Sequence, residues 1–283
     1  MTGRRVELSA HDGLRLAATD WPGDPHRAAL FCLPGICRTG LDFAALAARH
    51  AGRRHVVTLD YVGHGDSARA ADPRRYRPEA LIRDVMDAMA ALHLHRVILV
   101  GTSFGGLAAM AIGTLRPASL AAVVLNDIGP HIEPLGREAV VEFVGSDPSF
   151  TSLDAAIAWL RRHHPPLPFL DEAGWRDFAW RTYAEGDDGH WHPRWDTRIG
   201  LQAVGNAAGA PPDLWPYFRG LCRLPMMLVW GQESRLLTAD TVAAMRQARP
   251  GMRVVSLPGT GHAPTLDEPP VVAALDSFIA GLP

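Results

Sequence analysis

The segment Gly101-Thr102-Ser103-Phe104-Gly105-Gly106 places a serine among small residues, between an apolar run and an Ala- and Gly-rich run. A serine on a sharp strand-to-helix turn can act as a nucleophile, and the strained backbone of such a turn requires small neighbours. The first amides of the following helix, including that of Phe104, point toward negative charge that develops beside Ser103. The segment therefore predicts covalent catalysis by Ser103.

A glycine-rich turn of this kind can instead bind a phosphate group or simply allow tight packing. The spacing lacks the Lys-Ser/Thr pair of a P-loop, and no acidic residue stands where a dinucleotide ribose would need one. These absences favour the nucleophile over the phosphate site.

His262 is the candidate general base among the 13 histidines of the chain. It lies in Pro258-Gly259-Thr260-Gly261-His262-Ala263-Pro264, just after the last predicted strand. Loops at the carboxyl ends of parallel strands converge on one edge of a sheet, where Ser103 also stands. A loop histidine can also be merely solvated, but its place at this edge favours proton transfer with Ser103.

The residues around these two side chains alternate between strand and helix patterns. Continuous apolar runs such as 96–100 are typical of strands buried on both faces, as in a parallel sheet covered by helices. Strands are predicted at 6–8, 14–18, 28–33, 55–59, 96–100, 120–125, 225–230 and 253–257, and helices at 43–48, 78–92, 104–115, 238–248 and 271–279. The pattern predicts an α/β fold.

This alternation stops between residues 130 and 221, where six of the eight tryptophans lie among Pro, His and Gly. We therefore predict a helical cap at 130–221, inserted into a core formed by 1–129 and 222–283. Most of its aromatic side chains should form the cap's own core, while some line the pocket beneath it. The six tryptophans are Trp159, Trp175, Trp180, Trp191, Trp195 and Trp215.

Four motifs in order resemble the α/β-hydrolase superfamily across essentially the whole chain. They are Leu33-Pro34-Gly35, Asp60-Tyr61-Val62-Gly63-His64-Gly65-Asp66-Ser67, the 101–106 segment and Gly259-Thr260-Gly261-His262. The resemblance implies a mostly parallel α/β-hydrolase sheet with helices on both faces and a mobile cap that sets substrate choice. It also implies an oxyanion hole formed by the N–H groups of Ile36 and Phe104, each contributing about 3 kcal/mol. Pro34 stands where many members carry His.

The acid that should orient the imidazole departs from the family pattern. Many members place an Asp shortly after the strand that is predicted here at 225–230, but Ser234 and Arg235 occupy that place. Two carboxylates are candidates: Asp127, at the end of the preceding core strand, where some members recruit the acid, and Glu233, one residue early. We predict Asp127, with Glu233 as the alternative.

Both carboxylates also have structural interpretations. Asp127 could cap a helix or form a salt bridge that anchors the inserted segment, and Glu233 could be an exposed charge or a partner of Arg235. The sequence leaves these readings open.

The charge and cysteine content restrict the partners of the chain. A formal net charge of -2 gives no broad field that would attract nucleic acid or an anionic membrane. Neither a membrane-spanning run nor a signal peptide is evident, and three cysteines without C-x-x-C spacing indicate no disulfide framework. We expect a cytoplasmic protein that binds a small hydrophobic substrate, with a homodimer left open.

Histidines grouped at His163-His164 and His190/His192 raise the question of a metal site. Because neither group has Cys or carboxylate residues at metal-ligand spacing, we predict no metal and no other cofactor.

These residues together predict a hydrolase of a small hydrophobic carboxylic ester, thioester or lactone that works through an acyl-enzyme. One alternative is a C–C bond hydrolase of ring-fission products, because Gly-x-Ser-Phe-Gly-Gly resembles that branch, although its glycine-rich oxyanion segment is missing. A second alternative is a non-catalytic receptor on the same fold. It is considered because no Asp follows the strand at 225–230, where many family members carry the catalytic acid. Dehalogenation is disfavoured because the nucleophile position holds Ser and not Asp.

Overall fold

The computed structural model describes residues 3–202 and 213–283 of the chain. Its strands are β1 (Arg4–Ser9), β2 (Arg15–Trp21), β3 (Ala29–Leu33), β4 (Val56–Asp60), β5 (Val97–Thr102), β6 (Leu120–Asn126), β7 (Tyr183–Glu185), β8 (Trp191–Pro193), β9 (Met226–Gly231) and β10 (Arg253–Leu257). Its helices are α1 (Ala44–His50), α2 (Pro78–Ala91), α3 (Phe104–Leu115), α4 (Pro134–Gly145), α5 (Leu153–His163), α6 (Glu172–Thr182), α7 (Trp215–Gly220), α8 (Ala239–Ala248) and α9 (Pro269–Ala280).

Eight of these strands form one sheet in the order β1-β2-β4-β3-β5-β6-β9-β10. The pairings β1–β2 and β2–β4 are antiparallel, and every pairing from β4 through to β10 is parallel. All residues of β3 and β6 are buried, as their uninterrupted apolar sequences predict for strands covered on both faces. The predicted mostly parallel α/β sheet is therefore confirmed.

Helices cover both faces of this sheet and bury two separate apolar layers. One layer includes Leu81 of α2, Ala109 of α3 and Met245 of α8. The other includes Leu46 of α1 and Leu275 of α9. Among the described residues, none of the helices combines the length and the hydropathy that crossing a bilayer requires.

The segment between β6 and β9 contains α4 to α7 and a small antiparallel sheet of β7 and β8. It is hydrogen-bonded to loops at the carboxyl edge of the main sheet. The Gly261 N–H donates to the Pro166 carbonyl at 2.7 Å, and the Gly65 N–H donates to the Arg194 carbonyl at 2.7 Å. The segment therefore lies against the loop that carries His262. Residues 203–212, which belong to the predicted cap, lie outside the described residues.

The turn after β4 is held by the carboxylate of Asp60. One oxygen of Asp60 accepts from the Gly40 N–H at 2.7 Å, and the other accepts from the Asp66 N–H at 3.1 Å. Gly65 belongs to the same turn and has a φ of 50°. A Cβ at Gly65 would lie 2.1 Å from Asp60 Oδ2, so the turn requires glycine there for both its backbone angle and its space.

Replacing Gly65 with Ala should therefore lower the free energy of unfolding by about 3 kcal/mol or more, since the new methyl group displaces a half-buried carboxylate that accepts two backbone hydrogen bonds. Gly13 is a matched control: it has a φ of 84° and no atom within 4 Å of an added Cβ. Gly13→Ala should lose only the strain of the left-handed backbone, about 1–2 kcal/mol. Urea unfolding of both variants measures the difference, and equal losses would contradict the contact with Asp60.

Candidate active site

Ser103 occupies a tight turn between β5 and α3. Its backbone has a φ of 50° and a ψ of −112°, a conformation that L-residues rarely adopt. The neighbouring backbone is crowded, because a Cβ on Gly101 would lie 2.3 Å from the Gly105 carbonyl carbon. A Cβ on Gly105 would lie 2.1 Å from the Leu33 carbonyl oxygen. The small residues that the sequence places around Ser103 are therefore required by close approach of the backbone.

His262 lies in the loop after β10, within hydrogen-bond distance of two predicted partners. Its Nε2 is 2.9 Å from Ser103 Oγ, and its Nδ1 is 2.8 Å from Asp127 Oδ2. A carboxylate oxygen only accepts, so we assign the proton of the neutral ring to Nδ1, which donates to Asp127. Nε2 then accepts from the Ser103 hydroxyl. This tautomer is the one that a general base for Ser103 needs.

Asp127 follows β6 directly and has a fully buried side chain. Its φ of 53° turns the chain away from the strand. Its N–H donates to the Val229 carbonyl at 2.8 Å, and its Oδ1 accepts from the Gly231 N–H at 2.9 Å. The end of β9 thus fixes both the backbone and one carboxylate oxygen, and Oδ2 is left to face His262.

Glu233, the alternative acid, points elsewhere. Its side chain is exposed and makes no hydrogen bond or ion pair within 3–202 and 213–283, to Arg235 included. Its N–H donates to the Thr260 carbonyl at 2.9 Å. Ser234, at the common Asp position, accepts from the Leu236 and Leu237 N–H groups at 3.3 and 3.2 Å and so stabilises its own turn. The structure brings Asp127, and not Glu233, to His262.

Asn126 joins the two loops that carry Ser103 and His262, a role that the sequence analysis missed. Its Nδ2 donates to Thr102 Oγ1 at 3.0 Å and to the Pro264 carbonyl at 2.8 Å. Its own carbonyl accepts from the Ser103 N–H at 2.9 Å. A polar residue that ends an otherwise apolar buried strand is the signal that could have identified it.

The predicted oxyanion donors, Ile36 and Phe104, lie on two segments that meet at Ser103. Two carbonyls of the Ile36 segment accept hydrogen bonds: Tyr61 Oη donates to the Pro34 carbonyl at 3.0 Å, and His64 Nε2 donates to the Ile36 carbonyl. Burial lowers the pKa of His64, which keeps the ring neutral. Within the described ranges, neither the Ile36 N–H nor the Phe104 N–H has a protein acceptor. Phe104 is also the first residue of α3, at the positive end of the helix dipole.

Ser103 and His262 open into a cavity of about 480 Å³. Part of its wall comes from the 130–221 segment, including Val140 and Phe143 of α4, His164 after α5, and Phe178 of α6. A volume of this size suits a compact ligand. The segment therefore adds the apolar rings of Phe143 and Phe178 to the wall of the cavity that holds Ser103.

The tryptophans of this segment do not line the cavity within the described residues. Trp195 is buried beneath it, where its ring stacks on Phe143 at 5.6 Å and its Nε1 donates to the Val144 carbonyl at 2.8 Å. The expectation that most aromatic side chains form the core of the segment thus fits Trp195, whereas Phe178 is one that reaches the cavity.

One wall of the cavity is polar. The Arg38 guanidinium donates from Nε and Nη2 to the two carboxylate oxygens of Asp42, at 2.7 and 2.6 Å, and lies 4.1 Å from the centre of the Phe178 ring. Burial lowers the pKa of the nearby His164 to about 4, and the positive charge of Arg38 acts in the same direction. His164 therefore presents a neutral ring to the cavity at pH 7.

Possible metal ligands lie away from this cavity. His11, Asp84 and Asp87 place ligating atoms within 4.8 Å of one another. Arg75 already donates to both oxygens of Asp84, at 3.0 and 2.7 Å, so a cation compensates that carboxylate. We assign no metal to this cluster.

The histidines that suggested a metal are placed differently. His192 Nε2 is 3.0 Å from the exposed carboxylate of Asp188, which also contacts His190. His163 Nδ1 donates to the Trp159 carbonyl at 2.8 Å. These contacts account for the three side chains as surface and helix-end hydrogen bonds.

A serine on a strand-to-helix turn above a parallel sheet, with a histidine and an acid at the same edge, defines the class of α/β hydrolases. Residues 29–275 match the family model described as the alpha/beta hydrolase family. The match covers most of the chain, and the protein belongs to this family.

Individual relatives extend the comparison over the full chain. The chain is 30% identical over 280 residues to a 3-hydroxybutyrate-oligomer hydrolase of Cupriavidus necator, covering 94% of this chain and 93% of the relative. It is 26% identical over 234 residues to a 2-(acetamidomethylene)succinate hydrolase of Mesorhizobium japonicum, covering 81% and 79%. The crystal structure of an α/β hydrolase from Novosphingobium aromaticivorans superposes with a TM-score of 0.93 at 35% identity, covering 99% and 98%. The protein is a hydrolase of this fold.

The lowered pKa of His164 can be tested by titration. Because its pKa in the folded protein is about 4 and its ordinary value is 6.5, the unfolded state binds more protons between these values. The stability that His164 contributes should be complete above pH 6.5 and be lost as the pH falls through about 4. An NMR titration of the ring, assigned with His164→Gln, should give a midpoint near 4. A midpoint at the ordinary value would contradict the buried, neutral ring.

Proposed function

We propose that the protein is a serine hydrolase that cleaves a compact carboxylic ester through an acyl-enzyme. The observation that carries this proposal is the hydrogen-bonded chain from Ser103 through His262 to Asp127, which opens into the cavity. Each neighbour in the chain lies at the distance that proton transfer and tautomer fixation require.

In the proposed reaction, His262 Nε2 takes the proton of the Ser103 hydroxyl as the oxygen attacks the ester carbonyl. Asp127 stabilises the imidazolium that forms. The N–H groups of Ile36 and Phe104 bind the oxyanion of the tetrahedral intermediate, and His262 returns the proton to the leaving alcohol. Water, activated by the same imidazole, then releases the acid and restores Ser103.

The properties of the cavity and the relatives support an ester as the substrate. The cavity volume of about 480 Å³ suits a short chain, and Val140, Phe143, Phe178 and Leu236 offer it apolar contacts. An oligomer of a hydroxy acid, the substrate named for the Cupriavidus necator relative, is joined by ester bonds.

The division of the chain into a core and a cap is part of the same proposal. We take 1–129 and 222–283 as the hydrolase core and 130–221 as the cap that selects the substrate, supported by the cavity walls that α4, α5 and α6 provide. The free thiols of Cys32, Cys37 and Cys222 support the expectation of a cytoplasmic enzyme, since reducing conditions keep thiols unpaired.

A fluorophosphonate probe should add covalent mass to Ser103, because only an activated serine attacks the phosphorus. Intact-protein and peptide mass spectrometry checks the site. Ser103→Ala should abolish the label and the hydrolysis of p-nitrophenyl esters, whereas Ser119→Ala, at a half-buried serine that donates to the Arg116 carbonyl, should change neither. An unlabelled wild-type protein would contradict the hydrolase and favour a non-catalytic receptor.

The choice of acid gives a second kinetic test. Asp127→Asn should lower kcat by about a thousandfold or more, because an amide does not hold the imidazole in the required tautomer. Glu233→Gln should stay within about threefold of the wild type, since the exposed Glu233 side chain does not contact His262. Circular dichroism confirms that both variants fold. Near-normal turnover of Asp127→Asn, with collapse in Glu233→Gln, would reverse the assignment.

A further inference from the structure

We propose that Arg162 and Arg235 form a carboxylate-binding subsite in the Ser103 cavity, so that the natural ester bears a free carboxylate. This inference rests on the proposed ester hydrolysis and deepens it by naming a charged group on the substrate. It also departs from the expectation of a purely hydrophobic substrate.

The charges that line the cavity are unbalanced. Among the residues that the structure describes, four arginines and two carboxylates line it: Arg38, Arg162, Arg181, Arg235, Asp42 and Glu233. The lowered pKa of His164 keeps that ring from adding a charge at neutral pH. The cavity therefore carries an excess of positive charge, although the whole chain has a formal net charge of -2. A concave site with one dominant sign of charge concentrates ligands of the opposite sign.

Two of the four arginines are already matched by carboxylates of the protein. Arg38 makes its bidentate pair with Asp42. Arg181 pairs with Asp177 and lies 3.7 Å from Asp267. The charges of Arg38 and Arg181 are therefore compensated by ion pairs within the protein.

Arg162 and Arg235 have no such match among the described residues. Within the described residues, the Arg162 guanidinium donates only to the Ala158 carbonyl of its own helix, at 3.2 Å. The Arg235 guanidinium lies within 4 Å of no carboxylate of residues 3–202 or 213–283. Both side chains are exposed at the cavity, so water now solvates their charges.

The backbones of these two arginines are well anchored, which limits the entropy lost on binding. Arg162 lies in the last turn of α5, where the His164 N–H donates to the Leu160 carbonyl at 2.8 Å. At Arg235, a Cβ on Gly136 would lie 2.2 Å from the Arg235 carbonyl oxygen, so α4 packs directly on this backbone. The two arginines thus project from the cap segment and from the loop after β9.

A carboxylate is the ligand group that fits this arrangement. Guanidinium groups bind carboxylates through parallel N–H bonds, and such charge-assisted bonds are stronger than neutral ones. Glu233 lines the same cavity with no ion-pair partner in 3–202 or 213–283, and its charge opposes an anionic substrate. Removing the Glu233 charge should therefore favour an anionic substrate, whereas removing either arginine should disfavour it.

The test compares two p-nitrophenyl esters of equal acyl length, the pentanoate and the hemiglutarate, which ends in a carboxylate. The readout is the ratio of kcat/KM for the hemiglutarate to that for the pentanoate. Arg162→Gln and Arg235→Gln should each lower this ratio about tenfold. Glu233→Gln should raise it about threefold, and added salt should lower it in the wild type.

Arg83→Gln is the matched control, since Arg83 is exposed on α2 and does not line the cavity. It removes the same charge and should leave the ratio unchanged. A ratio that neither Arg162→Gln nor Arg235→Gln lowers overturns the subsite. A drop of the same size in Arg83→Gln also overturns it, because net charge would then account for the effect.

Glutarate binding separates this inference from the proposed function. Calorimetry with glutarate on Ser103→Ala should show binding that either arginine substitution weakens about tenfold, and inorganic phosphate should bind more weakly. Glutarate binding without turnover of any ester supports the subsite and contradicts the hydrolase. Turnover of both esters with no binding of glutarate and no preference for the hemiglutarate supports the hydrolase and overturns the subsite.

Discussion

Both oxygens of the Asp127 carboxylate are held in this structure, one by the Gly231 N–H and the other by the His262 ring. A buried carboxylate is stable only when its oxygens are satisfied, so this arrangement ties the end of β6 to the end of β9 and to the loop after β10. The Ser103 hydroxyl completes the chain from the turn after β5. The three side chains come from sequence positions more than 20 residues apart, and the parallel sheet is what brings them to one edge.

The sequence predicts most of this framework, because the buried strands and the turn at Ser103 can be identified from short stretches of residues. Apolar runs with sharp ends identify buried parallel strands, and the glycines around Ser103 identify a turn in which backbone segments touch. The choice between Asp127 and Glu233 is a different problem, because both lie near the correct edge of the sheet. It depends on the positive φ of Asp127 and on the hydrogen bond from the Glu233 N–H to Thr260, and neither has a signature in residue type.

The cavity is less predictable, because its walls are made by long-range packing. Composition indicates an aromatic insert, yet Trp195 packs inward while Phe143 and Phe178 reach the ligand space. The net charge of the chain gives no hint that four arginines of the described residues line the cavity above Ser103. Arg38 and Asp42 are four residues apart and could be expected to pair, but only the fold shows that this pair lines the cavity.

The central claim is that Asp127 holds the imidazole of His262, and proton NMR tests it most directly. The His262 Nδ1–H, which donates to the buried Asp127 carboxylate at 2.8 Å, should give a resonance far downfield of the other protons. The account predicts that Glu233→Gln keeps this resonance and that Asp127→Asn loses it. A resonance that survives in Asp127→Asn and disappears in Glu233→Gln would contradict the account.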